Sequence, residues 1–144
     1  MTDRDIAALV LSAERRWMEN WVAGPSYVGT PITRGARAPE MELTAETGER
    51  VKLSASWSER PALVMLWRHL GCGCGLGRIE RLRDEYQGYL DSGLEVVVVA
   101  PGELDRVLAY KEKYGLQPRA LADPEYATHR AYGLSHWSNR KSVV

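Results

Sequence analysis

The chain lacks most of the features that assign a sequence quickly. Its 144 residues carry no excess of either charge, with 19 Lys and Arg against 19 Asp and Glu. No field of one sign therefore draws it to nucleic acid or to an anionic membrane surface. No stretch approaches the ~18 apolar residues of a membrane span. The N-terminus MTDRDIAALVLSAERRW sets acidic and basic residues around a short apolar run, unlike the basic start and small-residue cleavage site of a secretory signal. The expected compartment is the cytoplasm, with no nucleic acid and no membrane among the partners. Cysteine is scarce too: there are only two. In a reducing compartment two thiols are kept for reactivity or metal binding rather than as a structural staple.

What is present is ordinary for a globular chain. Hydrophobic residues make up 44% and charged residues 26%, which suggests neither disorder nor a fibrous repeat. A chain of this length buries roughly 70% of the surface that it exposes when unfolded. Thr2 and Asp5 have the spacing of a capping box, and Ile6, Leu9, Val10, Ala13, Trp17 and Trp21 follow at helical steps. Residues 1–24 thus read as an amphipathic helix, an appendage to the rest. The Gly- and Pro-rich stretch 25–37 reads as a connecting loop. Glu46-Thr47-Gly48 marks the turn of a small hairpin in MELTAETGERVKLS.

The remainder, 38–135, alternates strand and helix signals. ALVMLW is a continuous apolar run, expected as a central strand covered on both faces, and LEVVVVA is a second. Helical spacing runs from about Leu76 to Leu90, stopped by Gly93, and from Leu104 to Tyr114, closed by Gly115. RALA is a short strand, and Asp123-Pro124-Glu125 reads as a helix start with Asp as N-cap and Pro in the first position. Residues 136–144 are left as a tail. This order implies an α/β fold whose central sheet is mainly parallel, and in such sheets reactive groups gather at the carboxyl ends of strands.

Both cysteines sit at such a place, in WRHLGCGCGLGRIERL between ALVMLW and the next helix. A thiol at a helix N-terminus faces unpaired N–H groups and the positive end of the dipole, which favour thiolate over the ordinary thiol of pKa ~8.5. Arg68 and His69, just upstream, are candidates to add positive charge, and Trp67 to line a pocket. The glycines around the cysteines let a substrate approach the backbone closely.

These residues carry a resemblance. GARAPEMELTAETGERVKLS, RPALVMLWRHLGCGC, GLEVVVVAPG and YKEKYGLQPRALADPEYATHRAYGL are similar to the peroxiredoxin-like branch of the thioredoxin fold, the AhpC/TSA superfamily, over about Gly35 to Leu134. The resemblance implies a thioredoxin-like three-layer fold with a cysteine at the strand-to-helix junction, matching Cys72. It implies a thiol-disulfide redox protein with Cys72 as nucleophile and Cys74 as resolving thiol. The partners implied are a small-molecule or protein disulfide or peroxide substrate and an external thiol reductant, with no cofactor and no metal.

Three departures bear on the chemistry. Typical relatives carry Thr or Ser three residues before the peroxidatic cysteine and Pro four residues before that; here those positions hold His69 and Met65 for Cys72, and Gly71 and Trp67 for Cys74. Disulfide exchange is therefore expected over efficient peroxidase action. Only Gly73 separates the cysteines, so a disulfide between them closes a tight ring that is easily reduced. The family's fold normally continues through a cis-proline loop, a hairpin and a last helix, whereas the sequence stops at GLSHWSNRKSVV. The expectation is a shortened C-terminus with one sheet edge open to a second copy, giving a homodimer, or to another protein.

Each feature also has a plainer reading. The plainer reading of the cysteines, weaker than the reactive one, is a pair of small residues in a glycine-rich turn; another is half of a four-ligand metal site that His69 or a second subunit completes. An arginine at a strand end is often only solvated, tryptophans 17, 21 and 67 pack cores, and His129 and His136 lie far along the chain without a motif. The alternative function is a redoxin-fold binding or assembly module, or a specialised-metabolism enzyme without peroxidase activity.

Overall fold

The computed structural model describes residues 2–23, 28–68 and 73–135, without the side chains of 13, 14, 16–18, 20–23 and 73–75. The elements run in the order α1 (Asp3–Ala23), β1 (Glu42–Ala45), β2 (Arg50–Lys52), a 3-10 helix (Leu53–Trp57), β3 (Ala62–Leu66), α2 (Gly73–Asp91), β4 (Glu95–Ala100), α3 (Leu104–Tyr114), β5 (Arg119–Ala122) and α4 (Ala127–Ala131). Helix α1 starts where the capping box places it. The Asp5 N–H donates to the Thr2 hydroxyl at 3.2 Å, while the Asp5 carboxylate accepts the Thr2 N–H at 2.9 Å and its hydroxyl at 2.6 Å. At the other end of the pattern Gly115, at φ 62°, closes α3 in the left-handed conformation, and Leu116 N–H returns to the carbonyl of Lys111.

The strands form one sheet in the order β2-β1-β5-β4-β3. Strands β3, β4 and β5 are parallel, with Met65 opposite Val98 and Val99 opposite Leu121, and β1 adds antiparallel to β5 and to β2. The fold is α/β and thioredoxin-like. On one face Val96, Val98, Ala100, Ala120 and Ala122 meet Ile79 and Leu82 of α2, Val107 and Tyr110 of α3, and Ile6 and Val10 of α1. On the other Val97, Val99 and Leu121 meet Leu43, Leu53 and partly buried Trp57 and Tyr132. The first turns of α1 are thus built into the core rather than appended to it. The side chains of Trp17 and Trp21 lie outside the described residues.

Two expectations need correction. Strand β3 is apolar on both faces, Leu63 and Met65 toward one core and Val64 and Leu66 toward the other, yet among the described residues it ends the sheet order instead of occupying its centre. An apolar run reports coverage above and below a strand and says nothing about its lateral neighbours. At the two ends of the β3–β4 ladder, Glu95 N–H bonds to Pro61 and Trp67 N–H to Val99. By the alternation of a strand, the backbone groups of Ala62, Val64 and Leu66 face away from β4. The second correction concerns Asp123-Pro124-Glu125, which forms a turn, because the helix begins only at Ala127 after Tyr126 at φ 54°.

The hairpin is tied to the rest through Glu46. Its Oε1 lies 2.5 Å from Lys111 Nζ and accepts the Ala120 N–H at 2.7 Å, and Lys111 also donates to the Pro118 carbonyl at 2.9 Å. Gly133, at φ 71°, ends the last described helical stretch, and a Cβ there would run into the carbonyl of Thr30. Gly48 has φ 87° but open space around it. Gly48→Ala should therefore cost about 1 kcal/mol from backbone strain, and Gly133→Ala clearly more, since the chain at Thr30 and Pro31 must also move. Urea unfolding of the two variants beside the wild type checks the order.

Candidate active site

Strand β3 delivers the chain to the site. Trp67 follows it directly; its N–H bonds to the Val99 carbonyl at 2.9 Å, its side chain is only 5% exposed, and the ring packs into the core with α2. Its indole Nε1 is enclosed and has no hydrogen-bond partner among the described residues. Arg68 is exposed. His69 and Cys72 lie outside the described residues, as does His136. Helix α2 then opens at Gly73, three residues before the expected Leu76, so the backbone of Cys74 belongs to its first turn. The first backbone N–H groups of a helix have no carbonyl one turn back within it, which suits that position to an anion. Among the described residues no three His, Cys, Asp or Glu side chains stand close enough to hold a metal ion.

A second element meets the site from across the fold. His129, 5% exposed on α4, points its Nε2 at the Trp67 carbonyl at 3.0 Å. A carbonyl only accepts, so Nε2 carries the hydrogen of this bond. The other ring nitrogen, Nδ1, faces Asp123 Oδ2 at 3.6 Å. Asp123 is 3% exposed, and its two carboxylate oxygens each accept one N–H, from Ala127 and from Thr128, both at 2.9 Å. Burial alone would raise the Asp123 carboxyl, but the His129 ring and the two amides outweigh it and hold it below its ordinary 3.8. Tyr126, whose ring meets that of His129 edge-on at 5.2 Å, donates its hydroxyl to the Arg68 carbonyl at 3.2 Å.

Sequence reading missed this group. His129 had no motif around it, and its bond to Trp67 spans 62 residues of chain. Asp123 was legible as a helix cap, but as an N-cap. It acts from four and five residues away instead.

Comparison with known proteins is consistent with this geometry. The AhpC/TSA family profile matches residues 34–144. The chain belongs to the AhpC/TSA family. It is 26% identical over 111 residues to peroxiredoxin Bcp of Bacillus subtilis, covering 77% of this chain and 69% of that protein. It is 29% identical over 84 residues to the chloroplastic thioredoxin-like protein AAED1 of Arabidopsis thaliana, covering 58% of this chain and 34% of that one. The chain thus spans about a third of the plant relative. In fold it is similar to the thioredoxin domain of a thiol-disulfide oxidoreductase from Bacteroides vulgatus, with a TM-score of 0.58 at 20% identity over 74% of that domain and 70% of this chain. The comparisons thus show an AhpC/TSA chain with a thioredoxin-like fold.

The Asp123 carboxylate makes a pH test available. A carboxyl whose pKa is lower folded than unfolded stabilises the fold in full above its unfolded value near 3.8, and that contribution fades as pH falls through the folded value. Asp123→Asn should lose about 1–3 kcal/mol at neutral pH. The gap from wild type should close as the solution is acidified below 3.8, and thermal unfolding of both proteins as a function of pH reads it directly.

Proposed function

We propose that this AhpC/TSA protein is a thiol-disulfide redox protein with Cys72 as nucleophile and Cys74 as resolving thiol. The observation that carries the reading is the junction of β3 and α2. The chain leaves a parallel strand at Trp67 and enters a helix at Gly73, with Cys74 in its first turn. Unpaired amides and the helix dipole stabilise a negative charge there, and a thiolate is the form of sulfur that reacts.

With a disulfide substrate, the Cys72 thiolate attacks one sulfur and the second leaves as a thiolate. Cys74 then displaces the bound sulfur, leaving a Cys72–Cys74 disulfide that an external dithiol reduces by two electrons. With a peroxide, Cys72 takes the terminal oxygen as sulfenic acid while the alcohol or water leaves, and condensation with Cys74 releases water. His69 and Gly71 stand where a Thr or Ser would activate the peroxide, which favours the first route. Arg68 and His69 are candidates to stabilise the thiolate. Trp67, buried beneath, supports the turn from the core side. The lateral edge of β3 bears the outward backbone groups of Ala62, Val64 and Leu66, which suits pairing with a second copy in a homodimer. A reducing cytoplasm would supply the external thiol.

The thiolate absorbance of wild type, Cys72→Ser and Cys74→Ser against pH tests the reading, with intact mass before and after one equivalent of oxidised glutathione. A Cys72 pKa well below ~8.5 and a loss of two hydrogens that requires both cysteines are the expected results. Ordinary pKa values with no oxidised product would turn the assignment to a binding module of the same fold.

A further inference from the structure

We propose that His129 and Tyr126 are positioning residues for the cysteine turn, acting by fixing the two backbone carbonyls through which the chain enters it. The proposal rests on the redox reading above and adds to it the machinery that orients the site.

The observations are independent of the cysteines themselves. Trp67 and Arg68 lie beyond the last residue of β3 and past the last pair of its ladder, Leu66 opposite Val99. Their carbonyls are taken up by side chains from an element some sixty residues further on: His129 Nε2 bonds to Trp67 O at 3.0 Å, and Tyr126 Oη to Arg68 O at 3.2 Å. Two side chains of one element thus hold two adjacent carbonyls, which restrains the rotation of the backbone as well as its position. One clamp alone would leave the chain free to turn about that contact.

The clamp is itself held rigidly. Helix α4 is short, and what fixes it is the Asp123 carboxylate, which grips the Ala127 and Thr128 amides and faces His129 Nδ1. Asp123 in turn extends the sheet, because its N–H bonds to the Ala100 carbonyl at 2.9 Å. Tyr126 holds a left-handed backbone at φ 54°, a conformation that side-chain-bearing residues adopt rarely and keep only where the surroundings dictate it. That backbone brings its hydroxyl to Arg68 while its ring stays edge-on to His129. A continuous path therefore runs from the end of β4, through Asp123 and α4, to the residues that precede Cys72.

A thiolate at a helix N-terminus gains from unpaired amides only if the sulfur is held where they point. The role assigned to the clamp is to provide that alignment. It should be visible in the ionisation and reactivity of Cys72 rather than only in stability.

The test uses the full chain carrying Cys74→Ser, so that one thiol reports, and follows its alkylation by iodoacetamide across pH in Tyr126→Phe, His129→Leu and His129→Gln. Tyr126→Phe deletes one hydroxyl, and His129→Gln keeps an N–H able to reach the Trp67 carbonyl. Tyr126→Phe and His129→Leu are expected to move the alkylation midpoint toward that of a free thiol and to slow the reaction at neutral pH roughly three- to tenfold, the worth of one hydrogen bond. His129→Gln should recover most of the rate. If His129→Leu does not fold, Tyr126→Phe decides. Folded variants with the wild-type pH profile overturn the proposal. Should the wild-type thiol itself titrate as an ordinary one, the redox reading fails separately, and hydrogen exchange of the Arg68 and Gly73 amides decides the clamp: faster exchange in Tyr126→Phe supports it, and unchanged exchange overturns it.

Discussion

The five consecutive residues Val96–Ala100 set the frame of this molecule. All five are buried, four of them fully and Val98 to within 2%. The cause lies in the geometry of a strand, which sends successive side chains to opposite faces. Val96, Val98 and Ala100 build one core, and Val97 and Val99 build the other. Removing this much apolar surface from water, at about 25 cal/mol per Å², is the driving force that fixes β4. Its neighbours β3 and β5 are then placed by their ladders to it, and α2 and α3 by the crossovers that join the three strands.

Two surfaces of very different thickness follow. Helices α1, α2 and α3 cover one face of the sheet, while the other has the 3-10 helix and the chain around Tyr132. Long-range polar ties join the layers to one another and to the sheet. Glu46 binds the hairpin to α3 and β5, Tyr132 reaches the Pro39 carbonyl at 3.4 Å, and Asp123 joins the sheet to α4. Polar ties of this kind stabilise little on balance but are costly to leave half made. They therefore specify position more than they add stability.

The candidate site draws on both levels. The hydrophobic frame brings the end of β3 beside the start of α2, which gives any sulfur in that turn the electrostatics of a helix N-terminus. The polar group of Asp123, His129 and Tyr126 reaches the backbone of the same turn from the far end of the chain. The sequence places His69 ahead of the cysteines and a single residue, Gly73, between them.

The sequence by itself determined the elements and the location of the cysteines. Leu104 to Tyr114 with its Gly115 cap, RALA as β5, the Gly48 hairpin and the Thr2–Asp5 box all appear where patterning puts them, because each depends on interactions within a few residues. Only the tertiary structure decided the rest. That β3 lies at the sheet's edge, that Asp123 caps α4 across a turn, and that His129 meets the Trp67 carbonyl all depend on chain segments far apart in sequence. Local periodicity records which side of a segment is covered, whereas the identity of what covers it is settled by how the whole core closes.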